Sequence, residues 1–434
     1  MTLAPPAPDQ RAWLDLLTAP EAGELLAVAL GADGASLDTW RVHQVHARPG
    51  AEVTVGYDVV ARRALAPRPG AGPGAVDAAE YLLATTAPLS PDAAGPGVVR
   101  LADGPRVVHV WRHPADPLLP GLAAACDRDA LTRRLAAADV LKPGEAVEAA
   151  EMVAYRPLRR AVVRARTSIR TFYVKVVRPD RVRSLVRRHD LLRETPVRAP
   201  RCLDWGDDGV VVLEEAHGVS LAQHLAAAGP AGQPTAIDPH ALVRALDALP
   251  LRATTLRRRP GWAERVEHYG EAALAVHALD AARVARVVGA VREAVATRDP
   301  GPVVATHGDF YEANVLLDAG RTGVGTLLDV DTLGPGHRVD DLACLVAHLA
   351  VLPSLAPTVY GGVGALVQRC LAVFDERVDP GALRARAAGV VLSLASGATT
   401  RDLGDAWLGV AERLLAAAPL SESTLIGTSS TSHA

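Results

Sequence analysis

Asp309 and Asn314 stand five residues apart in the loop Thr306-His307-Gly308-Asp309-Phe310-Tyr311-Glu312-Ala313-Asn314. Downstream, the apolar pair Leu327-Leu328 delivers a second carboxylate, Asp329. These are the parts that phosphoryl transfer needs: a carboxylate to hold and deprotonate an attacking hydroxyl, and hard oxygens to pin Mg²⁺ against nucleotide phosphates. Asp and Asn also populate loops because their side chains bond nearby backbone, so the pair alone carries little weight. It gains weight from Asp329 and from the run Gly334-Pro335-Gly336-His337-Arg338-Val339-Asp340-Asp341-Leu342-Ala343 that follows.

A cation belongs with such carboxylates. Of the 46 basic residues only Lys142 and Lys175 are lysines. Lys175 sits within Phe172-Tyr173-Val174-Lys175-Val176-Val177, where period-two alternation puts Tyr173, Lys175 and Val177 on one face. A lysine mid-strand among apolar neighbours is costly unless it is paired or binds an anion. The bland alternative is an edge-strand lysine whose head reaches water.

The His-x-Asp-x-x-x-x-Asn loop followed by a metal-binding Asp is the kinase arrangement. With His-Gly-Asp in place of His-Arg-Asp, and with Asp341-Leu342-Ala343 opening a helix, the chain resembles the aminoglycoside phosphotransferase and choline kinase group. The resemblance implies an α+β, protein-kinase-like two-lobed fold, with a β-rich N-lobe and a mainly helical C-lobe, preceded here by a smaller α+β N-terminal domain. It implies ATP (or GTP) and Mg²⁺ as cofactors and a small-molecule hydroxyl as acceptor. Asp309 would be the catalytic base, Asn314 and Asp329 the metal ligands, and Lys175 the phosphate contact. Val210–Glu214 with Glu215-Ala216 would be the hinge, its backbone at Glu214 and Ala216 facing the adenine. His307 would support the loop, Asp331 would add a metal or substrate contact, and Asp341 would cap its helix and brace the loop. Glu312 is either a contact for a cationic acceptor or a solvated acid.

Two departures stand against the resemblance. The helix after Lys175 offers only Asp190 and Glu194 as acidic partners, both at its far end, and the first hairpin reads Leu158-Arg159-Arg160 with no Gly-x-Gly. A non-catalytic nucleotide-binding module is therefore the rival reading. A protein kinase is not, because the ten residues from Val330 to Val339 leave no room for an activation segment. Nor does a Gly-x-Ser-x-Gly elbow appear.

The elements that must position these groups fall into four stretches: a cap-like domain over 1–148, an N-lobe over 149–215, a C-lobe over 216–420 and a disordered tail over 421–434. In the first stretch, helical periodicity gives way to strands near 40–46, 53–60 and 107–111, with a short helix expected near 76–83 and another over 127–140. The segments around Pro49-Gly50 and Pro157-Leu158, each flanked by strands, look like a weak internal repeat. Helices are expected over 239–249, 261–277, 280–297, 340–351, 361–377, 380–397 and 402–417, with Asp238-Pro239 and Ser220 as caps and 229–237 as loop.

Composition narrows the class. Only 4% of residues are aromatic, so Ala, Val and Leu build the interior. Residues 156–201 hold 15 basic and 3 acidic side chains, yet no stacking aromatics beyond Phe172 and Tyr173 are interleaved, so no nucleic acid is expected. No segment reads as spanning a membrane and no secretory signal is apparent; a cytoplasmic protein is expected. The cysteines Cys126, Cys202, Cys344 and Cys370 form no ligand-spaced pair and are expected to be reduced and buried. The acidic bias beyond residue 202 suits an amino-bearing acceptor, an aminoglycoside or amino sugar, with plain sugars also open. The oligomeric state is not readable.

Overall fold

The computed structural model describes residues 8–47, 52–64, 75–93, 95, 97–228, 237–277 and 279–416. The chain divides into two compact units, Met1–Val186 with Cys202–Glu215, and Arg187–Arg201 with Ala216–Ala434. The expected tail over 421–434 and most of the 229–237 loop lie outside the described residues.

The first unit is built twice on one plan. Helices α1 (Pro8–Thr18) and α2 (Ala22–Gly31) precede the strands β1 (Ala35–Ala47), β2 (Val53–Ala64), β3 (Ala75–Thr85), β4 (Val98–Asp103) and β5 (Arg106–Arg112). Helices α3 (Leu122–Cys126) and α4 (Arg128–Ala137) then precede β6 (Ala149–Arg156), β7 (Arg160–Arg166) and β8 (Thr171–Val177). After helix α5 (Val182–Leu191) come β9 (Cys202–Trp205) and β10 (Val210–Glu214). The sheets run β1-β2-β3-β5-β4 and β6-β7-β8-β10-β9, the same order in both. In each, the preceding helix pair covers one face. Leu17, Leu26 and Leu30 pack on Val55, Tyr57 and Val59 in the first, and Leu122, Leu131 and Leu135 pack on Val163, Val174 and Val212 in the second. The weak repeat read from two Pro-containing turns therefore has a structural counterpart, although the turn at residues 48–51 itself lies outside the described residues.

One expectation fails here. Residues 76–83 are not a short helix but the middle of β3, paired with β2 from Thr54↔Thr85 to Ala64↔Ala75. The Ala-rich composition favours helix locally, but alternation wins. Leu82 and Ala84 join the core under α1 and α2, while Tyr81 and Leu83 face the opposite cluster with Trp111 and Leu158.

The second sheet keeps the alternation expected around Lys175. Phe172, Val174 and Val176 face α3 and α4, whereas Tyr173 and Val177 pack with Val182 and Leu185 of α5. Four arginines of the basic block are paired with acids, Arg164 and Arg166 with Glu151, Arg170 with Glu145, and Arg159 with Glu52.

The second unit is mainly helical. It comprises α6 (Leu221–Ala228), α7 (Pro239–Asp247), α8 (Val266–His277), α9 (Ala281–Thr297), α10 (Arg338–Leu355), α11 (Pro357–Tyr360), α12 (Val363–Asp375), α13 (Pro380–Ala395) and α14 (Arg401–Ala416). Two short strand pairs carry the loops: β11 (Val303–Thr306) with β14 (Gly334–His337), and β12 (Val315–Leu317) with β13 (Val324–Leu327). Ser220 accepts from the Gln223 N–H and Asp238 from the His240 N–H, as their positions predict. α10 and α13 are buried on nearly all sides, which marks them as the helices the others pack around. Two charges taken inside α13 are paired, Arg384 with Asp375 at 2.6 Å and Arg386 with Asp340 at 2.5 Å. Cys344 and Cys370 are buried as expected, but Cys126 and Cys202 are only half-buried; all four are free thiols. Among the described residues no helix is long and apolar enough to cross a membrane.

Glu145, ahead of β6, accepts from Arg170, Thr167 and the Lys142 N–H. The Arg170 guanidinium, foremost among these, holds its carboxyl at about 2, below the usual carboxylate range. The folded form thus binds this proton less readily than the unfolded chain. Its stabilisation is full above about pH 4.5 and is lost as pH falls toward 2. The melting temperature is expected to drop across that window, and Glu145→Gln to flatten the drop while lowering the neutral-pH value; an unchanged slope would refute the assignment.

Candidate active site

β11 enters and β12 leaves the loop 307–314, and the loop is held from below by one carboxylate. Asp341, fully buried in the first turn of α10, accepts from the His307 N–H at 2.9 Å and the Gly308 N–H at 2.7 Å. Burial pushes its carboxyl up, opposed by His307, by Arg338 at 3.6 Å and by those two amides. It braces the loop but does not cap its helix; His337 occupies the N-cap position.

His307, also fully buried, works inside the protein. Its Nε2 donates to the Leu328 carbonyl at 2.9 Å, which leaves Nδ1 to accept from the Asp309 N–H at 3.3 Å. The ring thereby ties the residue before Asp329 to the backbone of Asp309. The Thr332 hydroxyl donates to the His307 carbonyl at 2.6 Å. Gly308 takes φ +79°, and a Cβ there would meet Thr332 at 2.9–3.1 Å, so glycine is required at this position.

Asn314 Nδ2 donates to the Asp309 carbonyl at 3.0 Å, and the Leu328 N–H donates to the Asn314 carbonyl at 2.8 Å. The loop and the strand end that bears Asp329 are thus stitched together through main chain. Asp329 itself adopts the left-handed conformation, φ 51°, a strained setting for a residue with a Cβ and one that recurs where a side chain must be aimed. It opens the short turn Val330–Thr332 that contains Asp331. The Asn314 side chain thus ties it to Asp309, and its carbonyl ties it to the residue before Asp329. With Asn314's amide nitrogen committed to Asp309, its oxygen is the end left to join the Asp329 carboxylate as a hard donor, and that donor set suits Mg²⁺. Among the described residues no group of three or more His, Cys, Asp or Glu side chains could hold a metal by itself.

Glu312 is not a solvated acid. It is 6% exposed, its Oε2 lies 3.9 Å from His348 Nδ1, and burial pushes its carboxyl up to about 7. His348 stacks on Tyr311 with centroids 4.2 Å apart, and burial holds it down at about 4. Sequence reasoning passed over His348, which stands on α10 with no motif around it.

In the first unit, Lys175 is buried on β8 between Val162 of β7 and Val211 of β10. α5 carries no acid on its first two turns, so the usual helix glutamate is not supplied there. The hairpin that lacks glycines is held instead by the N-terminal half of the unit. Asp116, 3% exposed, accepts from the Tyr155 hydroxyl at 2.7 Å and the Leu158 N–H at 2.8 Å. Leu158 has φ 62° and a buried side chain among Leu83, Ala87 and Trp111, and its carbonyl accepts from Arg178 at 2.7 Å. Asp116 gave no sequence signal, because its partners are about 40 residues away.

Residues 158–362 match the sequence profile described as "Phosphotransferase enzyme family". This chain carries a domain of that family. The matched region takes in part of the β6–β10 sheet and the mainly helical second unit as far as α11. The protein is an ATP-dependent small-molecule phosphotransferase acting on a hydroxyl-bearing acceptor. Among solved structures it is similar to a thermostable mutant of aminoglycoside phosphotransferase APH(4)-Ia, at 16% identity over 65% of this chain and 97% of that one, TM-score 0.44. It is also similar to macrolide 2'-phosphotransferase type I, at 16% identity over 67% and 97%, TM-score 0.39. Macrolide 2'-phosphotransferase MphH from Brachybacterium faecium matches at 20% identity over 65% and 97%, TM-score 0.36. No curated protein sequence matches the chain.

Two substitutions test the bracing. Asp341→Asn turns an NH₂ toward one of two buried amide N–H groups and should cost about 1–3 kcal/mol. Asp116→Ala strands the Tyr155 hydroxyl and the Leu158 N–H and should cost about 2–4 kcal/mol. Thermal and urea unfolding measure both, and a loss within 0.5 kcal/mol, roughly the level of an ordinary surface change, would contradict the bracing role.

Proposed function

We propose that the phosphotransferase domain moves the γ-phosphoryl group of ATP (or GTP) to a hydroxyl of an aminoglycoside, sugar or amino sugar, with Asp309 as the base. The acceptor oxygen bonds to the γ-phosphorus and its proton passes to the Asp309 carboxylate. The bond from that phosphorus to the β–γ bridging oxygen breaks, and the nucleoside diphosphate leaves with the electron pair. Asn314 and Asp329 would hold Mg²⁺, which when bound neutralises charge on the phosphate oxygens. Lys175 contacts the nucleotide phosphates as a compact point charge, and the backbone at Glu214 and Ala216 receives the adenine. The chain leaves the first unit at Glu215 and enters the second at Ala216, which favours a hinge at that place.

The observation that carries the reading is the immobilised loop: the Asp309 N–H donates to His307 Nδ1 and the Asp309 carbonyl accepts from Asn314 Nδ2, so its main chain is fixed on both sides. That is the arrangement a base needs if it is to meet a hydroxyl without reorganising.

Asp309→Asn is expected to lower kcat about 10²–10⁴-fold in a Mg²⁺-dependent assay of nucleoside diphosphate release. Lys175→Ala should raise the nucleotide KM at least tenfold while leaving acceptor affinity in place. Full activity in Asp309→Asn would remove the base from the scheme.

A further inference from the structure

The second unit holds a recess against the catalytic loop, lined by Arg259, Trp262, Arg265, Tyr269, Gly308 and Asp340. Gly308 directly precedes the base, and its carbonyl accepts from Trp262 Nε1 at 3.3 Å, so the recess opens beside the residue that Asp309 follows. In a chain only 4% aromatic, two rings meet here, Trp262 and Tyr269, with centroids 5.8 Å apart and planes tilted by 33°. The Arg265 guanidinium lies 6.0 Å from the first ring and 5.0 Å from the second, and donates to the Tyr269 hydroxyl. The cation–π position on these rings is therefore already filled by the protein's own cation.

Charge points the same way. The single carboxylate in the lining, Asp340, is taken by Arg386 at 2.5 Å, and Gly261 packs so closely on it that a Cβ there would meet its oxygens at 2.9–3.2 Å. Arg259 and Arg265 thus face the recess against no free lining acid. An ammonium-bearing acceptor would enter a site of its own sign, and like charges brought together in a partly desolvated pocket are disfavoured. A sugar ring can instead lay its C–H face on an indole and give its hydroxyl or carboxylate oxygens to guanidinium N–H groups.

We propose that this recess receives the acceptor and that the acceptor is a neutral or acidic sugar, not a polycationic aminoglycoside or an amino sugar. The proposal rests on the phosphotransfer reading above and narrows its acceptor class, against the acidic bias of the sequence beyond residue 202. Whole-segment charge misleads here because the acids are spent elsewhere, Asp340 on Arg386, Asp375 on Arg384 and Glu264 on Arg258.

The test uses the full chain with ATP and Mg²⁺ and four acceptors at equal concentration: glucose, glucuronate, glucosamine and kanamycin. Release of ADP is followed, and binding of each acceptor is measured by calorimetry without nucleotide. Glucose or glucuronate should show a kcat/KM at least tenfold above glucosamine, with kanamycin lowest. Arg259→Glu should raise the KM for glucuronate at least tenfold and lower that for glucosamine. Trp262→Ala should weaken sugar binding in calorimetry, with Trp262→Phe restoring part of it. Sugars that bind but prompt no release of ADP would leave the recess assigned and sink phosphotransfer. Turnover of only the ammonium-bearing acceptors, no change of preference in Arg259→Glu, or no binding or turnover of any of the four would overturn the proposal.

Discussion

A buried carboxylate that takes two consecutive backbone N–H groups is the constraint on which the site depends. Asp341 spends its two oxygens on the amides of His307 and Gly308. A loop of this kind would otherwise sample many conformations, since it contains a glycine and its polar backbone groups have water as an alternative partner. Fixing two successive amides sets the peptide planes on the N-terminal side of Asp309. The cost is the burial of a charge, met by the amides and by Arg338 from the same helix turn. α10 can carry that burden because it is enclosed on nearly every side by the second unit's apolar core.

From that anchor the order spreads by short links. His307 passes it to Leu328, Thr332 passes it back to His307, and Asn314 closes the loop onto Asp309. Each link joins a side chain to main chain, so backbone geometry sets where Asp309 and Asp329 stand. The strained conformation of Asp329 fits that logic, because a left-handed residue persists only where its neighbours over-determine it.

The first unit solves a different problem. Kinase-type hairpins rely on glycines to let backbone approach phosphates, and this hairpin has none. Here the turn residue Leu158 is bolted to Asp116 through its N–H, to Arg178 through its carbonyl and to Trp111 and Leu83 through its side chain. The N-terminal sheet, which repeats the strand order of the sheet that follows it in sequence, thereby shares in the packing of the β6–β7 hairpin.

Much of this was legible in the residues themselves. The spacing of Asp309, Asn314 and Asp329, the alternation around Lys175 and the caps at Ser220 and Asp238 are local, and local geometry is what a sequence encodes most directly. β3 was not legible, since an Ala-rich segment becomes a strand only when β2 offers it an edge. Nor were the roles of Asp116, His348 and Trp262, whose partners lie tens of residues away. The pairing of the acids was hidden for a related reason: a sequence counts carboxylates, but only the folded chain shows which of them arginines have already claimed. The amino-acid order thus determined the chemistry available, while tertiary packing decided what was left free to use it, because pairing and burial depend on neighbours that chain order does not name.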